Sequence, residues 1–271
     1  MITNLNKYAA FKMVNLKNYT VGIKSFVLFL TFILSFSCTQ QKMYVSRVEG
    51  REIGITSENK EVAFIENFIK PYRDHIDADL SAVLAYAPET LDKSGTWQTT
   101  IGNLFADVVM KKGNPVFVRR EDKSIDLVLL NAGGVRSIIA KGNVTARTAF
   151  EIMPFENSLV VIGLKGEQID EMLQYIITEK KPHPLSGMTF TIDKDNQPKS
   201  VMIQGKSFDR EKTYYVGTND YLANGGDNMN FFKKGIRKYD LDYKLRNILI
   251  DYFKDIDTVP MITDIRITVE K

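Results

Sequence analysis

The stretch Ile125-Asp126-Leu127-Val128-Leu129-Leu130-Asn131-Ala132-Gly133-Gly134-Val135-Arg136 decides how this chain is read. Its first half is an apolar run of strand length, and a pair of glycines bounds it. That pattern describes a buried strand running into a tight turn. A Gly pair permits positive φ and lets another group approach the backbone closely. Asn131 places an amide, donor and acceptor together, at the strand end. Arg136 adds a planar, permanently charged fork suited to phosphate or carboxylate. Taken alone, the turn is equally an ordinary strand-to-loop connection with a surface Arg. It is not a dinucleotide fingerprint, because Gly-x-Gly-x-x-Gly is absent, and not a P-loop, because no Gly-Lys-Ser/Thr follows.

Working outward, a second strand-like run, Tyr214-Tyr215-Val216-Gly217-Thr218, delivers Asn219-Asp220-Tyr221-Leu222-Ala223-Asn224-Gly225-Gly226-Asp227. Here again a Gly pair follows a strand, flanked by an aromatic ring and a carboxylate. Tyr221 and Asp227 would suit a base and a pair of sugar hydroxyls. Between the two turns lies Met153-Pro154-Phe155-Glu156-Asn157-Ser158. Pro154 fixes the chain just before Phe155. A ring on a rigid loop, followed by the Asn157 amide, can face a flat ligand; it can equally pack back into the core.

The remaining elements are read from periodicity. Residues 43–55 alternate weakly and suggest a first strand. Residues 59–76 carry a helical stripe of Val62, Ile65, Phe68, Ile69 and Tyr72, with Pro71 expected to bend or end the helix. Residues 80–87 read as a strand. A Thr cap at Thr99-Thr100 opens a helix through Ile101, Leu104, Phe105, Val108 and Val109, and Lys111-Lys112-Gly113-Asn114-Pro115 reads as its stop. Gly102 in the first turn costs about 1 kcal/mol against Ala and so suggests close approach of another group. Gly142–Thr145 reads as a turn and helix entry, 158–164 as a strand, and Gly166–Ile177 as the clearest helix. A strand from Ser186 to Ile192, a connection through Asp193–Pro198 and a return over Val201–Ile203 form a hairpin. Residues 240–253 read as an amphipathic helix and Ile262–Val269 as a closing strand. His183 falls between Pro182 and Pro184 in a loop, and Trp97, the one Trp, reads as a core anchor. The expected class is α+β, with mixed β-sheets packed with helices in one domain over residues 43–271.

Composition narrows the function. Hydrophobic content of 44% and charged content of 25% over 271 residues are globular values. The net charge of +3 owes much to Lys7, Lys12, Lys17 and Lys24, which face no acidic residue in that segment. The body is nearly neutral, so no nucleic-acid surface is expected. Two histidines and one cysteine leave little scope for a metal centre and none for an intrachain disulfide. His75, near Asp74, Asp77 and Asp79, reads as a solvated helix end rather than a ligand set.

Residues 25–37 form an apolar block preceded by basic residues and ended by Cys38, the only cysteine. The block is shorter than the roughly 20 residues a spanning helix needs. Residues 1–38 therefore read as a signal peptide, and Cys38 resembles the lipid-bearing cysteine of a bacterial lipoprotein box, with Ser35 and Phe36 a loose match. A plain secretory signal or an uncleaved anchor is the alternative. Residues 39–42 read as a polar tether. The expectation is an exported, cell-envelope protein held at the membrane by a lipid anchor.

The ordered blocks Ile101-Gly102-Asn103-Leu104, Asn131-Ala132-Gly133-Gly134-Val135-Arg136, Met153-Pro154-Phe155-Glu156-Asn157, Leu164-Lys165-Gly166, Ser186-Gly187 and Tyr221-Leu222-Ala223-Asn224-Gly225-Gly226-Asp227 resemble the C-terminal domain of the 5′-nucleotidase family. The resemblance implies a nucleotide-capturing domain. In that family a separate metallophosphoesterase domain with two metal ions performs hydrolysis. By position it implies that Phe155 and Tyr221 sandwich the base, with Tyr where the family usually has Phe. It further implies that Asn131 and Asn157 hydrogen-bond near the base, Asp227 takes the ribose hydroxyls, Arg136 meets phosphate, and Gly134 belongs to the same turn. Two departures matter. Ser94-Gly95-Thr96-Trp97-Gln98-Thr99 lacks the Arg that the family carries before Gly-Asn-Leu, which favours a nucleoside-like ligand. The Asp-x-His and Gly-Asn-His-Asp metal signatures are also absent. The expectation is a nucleotide- or nucleoside-recognition chain serving nucleotide catabolism, with no catalytic residue, metal or cofactor of its own. Divalent metals would sit only in a partner metallophosphatase. The alternative is a non-catalytic envelope binding or scaffold lipoprotein.

Overall fold

A computed structural model describes residues 16–34, 44–54, 56 and 62–270. It divides into two units, Met1–Lys60 and Glu61–Lys271. The described part of the first holds one helix, α1 (Leu16–Leu34), which overlaps the apolar block. Among the described residues no helix is long and apolar enough to cross a membrane. Cys38 and the 39–42 tether lie outside the described residues. Residues 44–54 form no strand and are exposed, contrary to the weak alternation over 43–55. Alternation makes a strand only when a neighbouring strand takes up its backbone groups.

The second unit opens with α2 (Ala63–Ser81), which runs through Pro71 instead of ending there. None of its residues is buried, so the sequence stripe marks a solvent-facing helix. Among the described residues His75 pairs with Asp79 alone, one turn on, and both side chains are largely exposed. β1 (Val83–Ala87) then pairs antiparallel with β3 (Gly142–Thr145). The expected turn at 142–145 is thus a short strand, and Thr145 still caps the helix that follows it.

α3 (Thr100–Glu121) starts at the expected cap, where the Thr99 hydroxyl accepts from the Gly102 N–H at 3.0 Å. A Cβ on Gly102 would stand 2.7 Å from that hydroxyl, which is the close approach the glycine permits. The helix does not stop at Lys111–Pro115 but continues to Glu121. Gly113 is there for packing, since a Cβ would come within 2.4 Å of Leu159. A left-handed Asp122 ends the helix instead.

β2 (Leu127–Leu129) follows, then α4 (Ala146–Ile152), β4 (Ser158–Lys165) and α5 (Gly166–Glu179). β5 (Leu185–Ser186), β6 (Met188–Ile192), β7 (Pro198–Ile203), β8 (Lys206–Ser207) and β9 (Thr213–Asn219) come next. The short helix α6 (Asp220–Ala223) leads to β10 (Arg237–Lys244), α7 (Leu245–Lys254) and β11 (Ile267–Val269). Two sequence assignments are corrected here. The amphipathic helix begins at Leu245, because residues 237–244 pair antiparallel with β4. The closing strand is limited to Ile267–Val269, paired parallel with β6. Trp97 is half-buried and packs against one core rather than anchoring it.

The main sheet runs β10-β4-β9-β2-β5, and a second sheet runs β11-β6-β7-β8. The main sheet is mixed: β2 lies parallel to β9, and the other pairs are antiparallel. The architecture is therefore α+β with mixed sheets, as expected. Both faces of the main sheet are covered. On one face Val128, Leu159 and Val161 join α3 and α7; on the other Leu127, Leu129, Val160, Ile162 and Leu164 join α5. Side chains alternate across a strand, so burial on both faces requires the unbroken apolar runs of β2 and β4.

Candidate functional site

The sheet topology brings three chain segments to one edge. β2 and β9 are parallel, so Asn131 and Asn219 leave the sheet at the same end. β4 is antiparallel to β9 with Leu159 opposite Asn219, so the Pro154–Asn157 loop enters there too. Segments far apart in sequence thus meet at a concave edge, where loops on a rigid scaffold commonly carry function.

They line a pocket of about 460 Å³ formed by Asn131, Gly133, Gly134, Arg136, Met153, Phe155, Asn157, Asn219, Tyr221 and Asp227. All the candidate binding residues named from sequence therefore fall in one place. Phe155 and Tyr221 are 42% and 48% exposed, so neither ring is consumed by the core. Both rings line this one pocket.

The polar groups are already oriented. The Asn131 amide donates to Asp227 Oδ2 at 2.7 Å, and the Tyr221 hydroxyl donates to Asp227 Oδ1 at 2.8 Å. Each carboxylate oxygen keeps a further lone pair for a ligand hydroxyl. The Asn157 amide donates to Asp220 Oδ1 at 3.1 Å. Arg136 donates to the Gly133 carbonyl at 3.2 Å, and its guanidinium lies 5.8 Å from the centre of the Phe155 ring. That cation–π contact holds the Arg at the pocket rim.

Phe155 is exposed, yet its loop is pinned. Arg246 of α7, itself buried, donates to the Pro154 carbonyl at 3.3 Å and pairs with Glu156. Arg246 also holds the Glu156 carboxyl below the usual carboxylate range. Lys244 donates to the Glu156 carbonyl at 2.7 Å and the Ser158 hydroxyl at 2.9 Å. Among the described residues no group of three or more His, Cys, Asp or Glu is placed to hold a metal ion.

Asn219 and Met153 line the pocket but were not marked from sequence. Asn219 had a readable signal, a strand-end Asn before a helix; its side chain caps α6, accepting from the Leu222 N–H at 2.8 Å. Met153 had none, because a buried Met beside Pro154 looks like any core residue.

A family model for the 5′-nucleotidase, C-terminal domain, matches residues 76–234. The chain belongs to that family. Similar proteins include the trifunctional nucleotide phosphoesterase protein YfkN of Bacillus subtilis, 27% identical over a match covering 59% of this chain and 11% of that protein. The 5′-nucleotidase of Vibrio cholerae is 24% identical, covering 66% of this chain and 32% of its own length. Among solved structures, the 5′-nucleotidase precursor of Thermus thermophilus superposes with a TM-score of 0.64 at 26% identity, over 76% of this chain and 43% of that one. This family member thus spans less than half the length of each of these relatives. It carries a 5′-nucleotidase-type substrate-binding domain.

Proposed function

We propose that this chain recognises a nucleotide or nucleoside within a 5′-nucleotidase-type system and leaves ester hydrolysis to a separately encoded metallophosphatase. The base lies between Phe155 and Tyr221. Asn131 and Asn157 present amides to its edge, Asp227 accepts from the ribose hydroxyls, and Arg136 meets a phosphate if one is present. Divalent metals belong to the partner. The chain acts after export, in the cell envelope, anchored by a lipid on Cys38.

The observation that carries this reading is the pocket itself: two half-exposed rings and an oriented carboxylate line one cavity at the strand ends. Each ring contributes about 1–3 kcal/mol of stacking, by analogy with other base platforms. Calorimetry with adenosine and AMP tests it. Binding is expected, weakened roughly tenfold or more by Phe155→Ala and by Tyr221→Ala. Absence of binding to any common nucleoside or nucleotide would refute the reading. Restoration of 5′-nucleotidase activity on adding a candidate partner phosphatase tests the division of labour. An unmodified Cys38 in the native host, seen by mass spectrometry, would end the lipoprotein assignment.

One observation favours a second reading, a binding or scaffold lipoprotein without nucleotide chemistry. Ser94–Thr99 brings no Arg, so Arg136 is the one cation lining the pocket among the described residues. A preference for adenosine over AMP separates nucleoside capture from phosphate-led binding, and no affinity for either selects the scaffold.

A further inference from the structure

Two side chains outside the pocket lining connect its two glycine turns. Tyr175, on α5, donates its hydroxyl to the backbone carbonyl of Asp227 at 2.7 Å. His183, buried in the loop between Pro182 and Pro184, accepts at Nδ1 from the Ala132 N–H at 3.2 Å. The two rings touch, with centroids 5.6 Å apart. A continuous path of contacts therefore runs from Asp227 in the second turn, through Tyr175 and His183, to Ala132 in the first. The Asn131–Asp227 side-chain bond closes the same gap from the pocket side.

The arrangement has a cost that packing alone does not explain. Ala132 opens a 3-10 turn, so its N–H has no partner within that turn. A neutral imidazole accepting at Nδ1 carries its proton on Nε2. His183 Nε2 is buried without a hydrogen-bond partner. An apolar side chain would avoid the penalty of that buried orphan. What an apolar side chain cannot supply is an acceptor for the Ala132 amide.

We propose that Tyr175 and His183 are positioning residues, a brace that sets the spacing of the two glycine turns and so holds Asn131 and Asp227 in register for a nucleoside ligand. The inference rests on the reading of the pocket as a nucleoside site. The charge surroundings suit the role. Burial and the nearby Lys181 push the His183 ring down to about 4, against the opposing pull of Glu179, Asp227 and the Leu130 backbone, so the ring stays neutral and Nδ1 can accept. Burial and Glu179 push the Tyr175 hydroxyl up to about 12, so it stays a donor.

The test uses the full chain with Tyr175→Phe, His183→Leu and His183→Asn, each checked for folding by circular dichroism. Adenosine affinity is read by calorimetry and backbone amide positions by NMR. Tyr175→Phe and His183→Leu are each expected to weaken adenosine about tenfold, the equivalent of one lost hydrogen bond. His183→Asn, whose Oδ1 can replace Nδ1 as acceptor, is expected to stay within about threefold of the parent. Tyr175→Phe is also expected to move the Ala132 and Gly133 amide signals, across the brace from the mutation. Unchanged adenosine binding in folded Tyr175→Phe and His183→Leu overturns the proposal. If the parent chain binds no nucleoside, the pocket reading fails, and the amides decide the brace: an Ala132 signal that Tyr175→Phe does not move rules it out. If His183→Leu does not fold, Tyr175→Phe, which loses only a hydroxyl, decides.

Discussion

The two glycine turns look alike in sequence and are built differently. The first, Asn131–Arg136, contains no positive φ. Its second glycine is needed for room: a Cβ on Gly134 would stand 2.8 Å from Asn131 Oδ1, whereas one on Gly133 would meet nothing closer than 3.6 Å. The second, Tyr221–Asp227, is a left-handed construction in which Gly225 has φ +84° and Asp227 is also positive, as is Asn228 just beyond it. Its other glycine clears a ring, because a Cβ on Gly226 would lie 2.4 Å from Tyr221 Cε1. A glycine pair therefore says that something comes close or something bends, and only the fold says which. The two turns also meet different partners. His183 supports the first through a side-chain nitrogen, while Tyr175 supports the second through a hydroxyl.

The largest expected separation between them comes from pH. The unfolded chain binds a proton on His183 near 6.5, whereas the folded chain refuses it until about 4. Stability carried by the neutral ring is thus complete above about pH 6.5 and is lost as pH falls towards 4, on the order of 3 kcal/mol at the bottom of that window. Urea midpoints at pH 7 and pH 4.5 should fall further apart in the parent chain than in His183→Asn, which has nothing to titrate there. Equal differences would show that the first turn has no such dependence.

Next comes Gly225→Ala. The Cβ meets the flexible end of Lys233, which can move, so the cost is the left-handed backbone, about 1–2 kcal/mol in a denaturant midpoint. Gly226→Ala acts on binding instead. The Tyr221 ring must swing aside and release Asp227, so adenosine affinity should fall about tenfold with little change in stability. A stability loss without an affinity loss would reverse the assignment of the two glycines. The first turn should be gentler. Gly134→Ala displaces the buried Asn131 amide and weakens binding a few-fold, while Gly133→Ala finds only an ordinary 3.6 Å contact with Asn131 and changes neither quantity measurably.

The candidate site was legible because its residues are chemically marked. Strand-end amides, exposed rings beside Pro or Gly, and a carboxylate after a Gly pair stand out from a core of Val, Ile and Leu. The brace was not legible. Tyr175 sits in a helix whose readable feature is the stripe of Ile169, Met172, Leu173, Ile176 and Ile177, and nothing local distinguishes it. His183 could be placed in a loop, but its burial depends on the Asn131 turn lying against it. The misplaced boundaries share one cause. Lys111–Pro115 has the composition of a helix stop, and Arg237–Lys244 adjoins a strongly amphipathic helix. In both cases β4 decided the outcome, by packing on Gly113 and by pairing with residues 237–244. Long-range partners override local preference, because a ladder of backbone hydrogen bonds or a well-packed apolar face outweighs a propensity of a few tenths of a kcal/mol per residue.

By itself the sequence determined the α+β class, the buried character of β2 and β4, the helical faces of α5 and α7, and which amides, rings and charged groups stand at the strand ends. These follow from periodicity and side-chain chemistry, which are local properties. Only the tertiary structure decided that the three loops share one edge, that Asn131 and Tyr221 both hold Asp227, and that Tyr175 and His183 tie the two turns together. Those facts depend on strand order and direction. The parallel pairing of β2 with β9, and the antiparallel entry of β4, carry no signature within any single strand.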